Sequence, residues 1–122
     1  MGQIRDLQTQ IHEMAKTKGW WDKLDDYKER GEEAVLMTAK IGLIACEAAE
    51  AIEEIRDDRI ATWYNEEPGK EGKPEGAGME LADVVIRAMD TCGAMDLDLE
   101  ALILEKIEYN MGRPWRHGGK KV

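Results

Sequence analysis

Phenylalanine is absent from this 122-residue chain, and only two cysteines, two histidines and three prolines occur in it. Each scarcity excludes something. Cys46 and Cys92 lack a CxxC spacing and are too few for a disulfide framework, which points to reduced thiols and a cytoplasmic setting. Neither His12 nor His117 stands three residues after a glutamate, so the Glu-x-x-His pairs of a di-iron bundle are missing. No apolar run approaches the roughly 20 residues that span a bilayer. The opening "MGQIRDLQTQ" lacks the apolar stretch of a secretory signal, so no membrane partner is expected. Basic charge is also in short supply: 17 Lys and Arg against 26 Asp and Glu leave a net charge of −9. That charge repels a nucleic acid polymer, yet it tolerates a small phosphorylated ligand wherever metal ions neutralise the contact.

What is present is helix. The length fits one domain, and 43% hydrophobic residues suffice for a packed core, aliphatic and adaptable because Met stands in for Phe. Ile4, Leu7, Ile11 and Met14 share one face of a helix predicted over Ile4–Lys18, which Gly19 ends. "WWDKLDDYKERG" reads as a polar connection. A second, long helix is predicted from Glu32 to about Arg59, rich in Ala, Leu, Ile and Met. "NEEPGKEGKPEGAG" is dense in Gly, Pro and charge and reads as a loop. The third helix, Met79–Cys92, is closed by Gly93 in the C′ role. Asp98 caps a fourth over Leu99–Met111, ended by Gly112 and Pro114. No stretch reads as a strand. The expected organisation is one all-α domain over residues 1–112 and a basic, mobile tail over 113–122.

The third helix, "MELADVVIRAMD", is apolar except for Glu80, Asp83, Arg87 and Asp90, which fall within an arc of about 80° at about 100° per residue. Lys40, Glu47, Glu50 and Glu54 lie within a similar arc of the second helix. A surface helix shows the reverse proportion, a narrow apolar stripe and a wide polar face. These two helices are therefore expected to be buried on most sides, each with one charged line. Buried carboxylates cost several kcal/mol unless paired or bound to a cation. Glu47, Glu50, Glu53, Glu54, Glu80, Asp83 and Asp90 far outnumber Lys40 and Arg87, so two facing lines call for a cation. Carboxylates with no His or Cys among them make a hard, all-oxygen site suited to Mg²⁺, with Mn²⁺ as the substitute, rather than Zn²⁺.

"CEAAEAIEE", "KPEGAGMELADVVIRAMD" and "KIEYNMGRPWRHGGK", in that order, resemble the MazG-like nucleoside triphosphate pyrophosphohydrolases of the all-α NTP pyrophosphatase superfamily. The resemblance extends from the first helix into the tail. It implies a bundle of four to five helices completed by oligomerisation, as a homodimer or homotetramer. It implies that Glu47, Glu50, Glu80 and Asp83 bind Mg²⁺, that Lys106 and Asn110 contact the phosphates and sugar, and that Arg113 follows them. It implies hydrolysis of a (deoxy)nucleoside triphosphate to the monophosphate and pyrophosphate, with Glu47 or Glu50 taking the proton of the attacking water.

The chain also departs from the family pattern. Cys46 stands where relatives often have a further glutamate, and Glu54 is the candidate replacement. Arg87 falls where dCTP-pyrophosphatase-like members place a tyrosine; it either touches phosphate or pairs with Asp83 or Asp90. His12 and Trp21 keep the spacing of a His and a Trp that line the base pocket of dCTP-specific relatives, although Trp21 read by itself is equally a hydrophobe covering the core. Two other functions remain open at this level. One is hydrolysis of phosphoribosyl-ATP or a signalling nucleotide; the other is a non-catalytic helical module that binds nucleotide or metal.

Overall fold

The computed structural model describes residues 2–122 and is mostly helical. Its elements are α1 (Gln3–Thr17), α2 (Leu24–Glu29), α3 (Glu33–Arg56), β1 (Trp63–Tyr64), β2 (Pro74–Glu75), α4 (Ala77–Ala94), α5 (Leu99–Met111) and α6 (Arg116–Gly119). α3 and α4 form the most extensive pairing, α1 packs on α4, and α2 and α5 attach to α3 and α1 respectively. Among the described residues no helix is long and apolar enough to cross a membrane.

The long helices fall where 3.6-residue periodicity puts them, and the short elements do not. The polar connection holds a turn of helix, α2, and the tail holds α6. The Gly/Pro-rich loop is pinched by an antiparallel pair that sets Trp63 opposite Glu75 and Tyr64 opposite Pro74. Buried Asn65 pins it further, its Nδ2 donating to Glu75 at 2.6 Å and its Oδ1 accepting from the Glu67 amide at 2.8 Å. Two-residue strands carry no alternation to read, so polar residues alone could not announce them. Gly76 closes the loop at φ 120°, where an added Cβ would meet the Ala61 carbonyl oxygen at 2.6 Å.

Gly93 does not end α4. The helix runs to Ala94, Met95 caps it, and the left-handed turn falls on Asp96 at φ 55°. Gly93 is instead a point of close approach, where a Cβ would come within 2.7 Å of the His12 ring. Its small size lets α1 lie against α4. Asp98 does cap α5, accepting from the Ala101 amide at 3.2 Å. Arg5 of α1 holds the same cap through Asp98 at 2.7 Å and Glu100 at 3.1 Å.

One copy of the chain covers its apolar surface poorly. The core cluster is Ala15, Trp21, Met37 and Ala94, flanked by Leu24, Leu36 and Met95. Leu81 and Val85 of α4, Ile52 and Ile55 of α3, and Leu104 and Ile107 of α5 are each half exposed or more. The expectation that α3 and α4 are buried on most sides therefore fails within a single copy. Helix pairing buries Glu47 and Glu80 of the charged lines and leaves much of the apolar circumference outside.

Candidate functional site

α3 and α4 bring their charged lines together. Glu47 and Glu80 are buried and Asp83 is half-buried, and one carboxylate oxygen from each lies within 4.8 Å of the others. Glu50, one turn beyond Glu47, is exposed and stands outside this group of three, although it lines the same cavity. The single strong neutralising contact is Arg87, whose Nε donates to Glu47 Oε1 at 2.8 Å.

The electrostatics separate the members. Burial raises the pKa of Glu80, and hydrogen bonding to Glu50 and Glu47 adds to it, so its carboxyl is pushed up to about 7. Burial also raises Asp83, reinforced by the charge of Glu47 and only partly offset by Arg87 and Lys73. Burial acts upward on Glu47 too, but the bond from Arg87 and the hydrogen bonding it shares with Glu50 and Glu80 outweigh it and hold Glu47 below the usual carboxylate range. One proton is thus shared in a crowded acidic corner. Such a group of oxygen donors, short of positive charge, fits a hard divalent cation.

The corner opens into a cavity of about 460 Å³ lined by α1, α3, α4, Lys18, Trp20 and Lys73. Along α4 it runs from Glu80 past Asp83 and Arg87 to Asp90 and Thr91. Ile11, Met14 and Ala15 of α1, Ile86 of α4 and Trp20 also line it. Its lining therefore combines carboxylates with apolar and aromatic side chains, and with Lys18, Lys40 and Lys73.

His12 and Trp21 do meet, with ring centroids 5.7 Å apart in an edge-on arrangement, but both serve Asp90. His12 Nδ1 lies 2.8 Å and Trp21 Nε1 2.9 Å from the same oxygen, Asp90 Oδ1. Trp21 is only 6% exposed and belongs to the core. The tryptophan that lines the cavity is its neighbour Trp20, 67% exposed. Lys40 braces both, donating to the Trp20 carbonyl oxygen at 3.1 Å and lying 4.6 Å from the Trp21 ring centroid.

Two residues read from the sequence find partners other than those expected. Arg87 pairs with Glu47 across the helix interface, not with Asp83 or Asp90 on its own helix. Glu54 accepts from Trp63 Nε1 at 2.9 Å and is not one of the three converging carboxylates. Lys106 and Asn110 lie in the second half of α5 and Arg113 just beyond it, all outside the cavity lining of their own chain. There Lys106 and Arg113 sit over Tyr109, at 5.1 and 5.8 Å from its ring centroid. Lys18, Trp20 and Lys73 carried no signal in the sequence, because isolated residues in connections have no periodicity to betray the face they line.

Comparison with protein-family models, with curated proteins and with solved structures found no match to this chain.

Proposed function

We propose that the chain is a MazG-like pyrophosphohydrolase, cleaving a (deoxy)nucleoside triphosphate between its α- and β-phosphates to give the monophosphate and pyrophosphate. The observation that carries this reading is the convergence of Glu47, Glu80 and Asp83 within 4.8 Å in the wall of a cavity that apolar and aromatic side chains also line. A triphosphate needs the first and a nucleobase the second.

In this reading Glu47, Glu80 and Asp83 hold Mg²⁺, with Glu50 beside them. The ion, when bound, neutralises the triphosphate and polarises the phosphoryl group under attack. Glu50 makes no ion pair among the described residues and lines the cavity, so it is free to take the proton of the attacking water. The water oxygen bonds to phosphorus, the bridging P–O bond breaks, and pyrophosphate leaves with its charge opposed by cavity lysines such as Lys18 and Lys73. Arg87 holds Glu47 ionised and in place.

The family resemblance assigns Lys106, Asn110 and Arg113 to the phosphates. Because they lie outside the cavity of their own chain, that role requires the α5 of a second copy. The exposed apolar faces of α3, α4 and α5 supply a reason for such a homodimer or homotetramer to form.

A second reading has one observation behind it. Arg87 already neutralises Glu47, and Glu80 carries a proton near neutral pH, so the corner can stand without metal as part of a non-catalytic module. A panel of triphosphates incubated with Mg²⁺ and assayed for pyrophosphate separates the two. Release from at least one triphosphate, lost in Glu50→Gln, supports hydrolysis; no release from any, with metal still bound, supports the module.

A further inference from the structure

Asp90 is held by one oxygen only. Both neighbouring donors, His12 Nδ1 and Trp21 Nε1, meet Oδ1 at 2.8 and 2.9 Å. A carboxylate can only accept, so His12 carries its proton on Nδ1, and the two bonds fix the plane of the group. Among the described residues Oδ2 has no hydrogen-bond partner, and no lysine or arginine pairs with Asp90. The side chain keeps 18% of its surface accessible, and the residue lines the cavity.

Its position along α4 matters. Asp90 lies seven residues, or two turns, beyond Asp83, which is about 10 Å along the helix axis. That separation matches the reach from the phosphates of a nucleotide to the edge of its base. The same cavity is lined by the exposed Trp20 and by Met14 and Ile86, surfaces on which a base can stack.

We infer that Asp90 is a specificity residue whose free oxygen accepts a hydrogen bond from an exocyclic amino group of the bound base, selecting cytosine or adenine over their carbonyl counterparts. A carbonyl oxygen in the same place meets a like partial charge and leaves Asp90 unpaired, which costs more than a hydrogen bond merely not gained. The inference rests on the nucleotide reading proposed above and adds which base edge the site reads.

The test is calorimetric binding of non-hydrolysable α,β-imido analogues to the full chain in Mg²⁺, in two matched pairs: dCTP with dUTP, and dATP with dITP. The amino-bearing member of each pair should bind about tenfold or more tightly, the range of a hydrogen bond to a charged group. Asp90→Asn should reverse the order. Only its carboxamide oxygen can accept from His12 and Trp21, so its NH₂ turns to the cavity and donates to a carbonyl. Circular dichroism establishes that the variant is folded; if it is not, Asp90→Glu, which displaces the carboxylate by one methylene, should lose the preference. Affinities within twofold in both wild-type pairs overturn the inference, as does a folded Asp90→Asn or Asp90→Glu variant that keeps the wild-type order. Binding without discrimination leaves the nucleotide reading intact, whereas failure of all four analogues to bind overturns both.

Discussion

Arg87 of α4 donates to Glu47 of α3 at 2.8 Å, the foremost of the contacts that hold Glu47 below the usual carboxylate range against its burial. Glu47 is 11% exposed at its side chain and Arg87 40%, so the bond lies at the mouth of the helix interface rather than in a dry core. With Glu47 ionised, the remaining repulsion is relieved by a proton on Glu80. Among the described residues Asp83 and Glu50 make no ion pair, so the corner stays short of positive charge, and a divalent cation would displace that proton.

Stability of the metal-free protein should fall as pH rises from about 4.5 to about 7. Glu80 has a folded pKa of about 7 against an ordinary 4.5, so the folded state holds its proton more tightly than the unfolded chain. Its contribution is complete below 4.5 and is lost as pH climbs to 7. Thermal melts across this range in EDTA should show the decline, and Glu80→Gln should flatten it. A slope unchanged in Glu80→Gln would place its origin elsewhere.

Mg²⁺ should raise the melting temperature more at pH 8 than at pH 5, because it competes with the shared proton. At a hundredfold excess over Kd the gain is about 2.7 kcal/mol. Mn²⁺ should replace it and Zn²⁺ should do so poorly, since every candidate ligand atom is a carboxylate oxygen. Differential scanning calorimetry with each metal decides. Equal stabilisation of Asp83→Asn would remove Asp83 from the ligand set.

Arg87→Gln should destabilise the metal-free protein by about 1–2 kcal/mol. The loss is smaller than for a fully buried pair because Arg87 is 40% exposed and solvent screens it. Added Mg²⁺ should recover most of this loss, since it replaces the missing positive charge. Urea denaturation with and without Mg²⁺ measures both terms.

The adjacent tryptophans should divide structure from binding. Trp21→Ala removes a core ring and should cost about 3–5 kcal/mol of stability. Trp20→Ala should leave stability nearly unchanged and weaken nucleotide binding by a factor of about 5 to 150, the worth of one stacked base. If Trp20→Ala binds as wild type, the base lies elsewhere in the cavity.

Lys106→Ala and Asn110→Ala should raise KM without changing metal affinity. If α5 of one copy serves the cavity of another, mixing inactive Glu50→Gln with Lys106→Ala subunits should restore activity at a hybrid site that carries both native residues. Mixtures no more active than the separate variants would contradict sharing of the site.

The amino-acid sequence by itself determined the long helices, the cap at Asp98 and the two charged lines, because each depends on residues within a turn or two. It also brought Glu47, Glu50, Glu80 and Asp83 into view, since two acidic lines on apolar helices have few stable arrangements other than facing one another. Which partner each charge takes was decided by tertiary structure. Arg87 lies one turn from both Asp83 and Asp90, and only the register of α3 against α4 makes Glu47 its partner. Glu54 shares an arc with Glu47, yet the fold of the Gly/Pro-rich loop brings Trp63 to it. Of two consecutive tryptophans, the turn after α1 buries one and exposes the other, a choice absent from local pattern. Gly93 reads as a helix stop from its neighbours and acts as a contact because α1 arrives there. Periodicity is a property of one element, whereas hydrogen-bond partners are chosen between elements, by packing that no single stretch encodes.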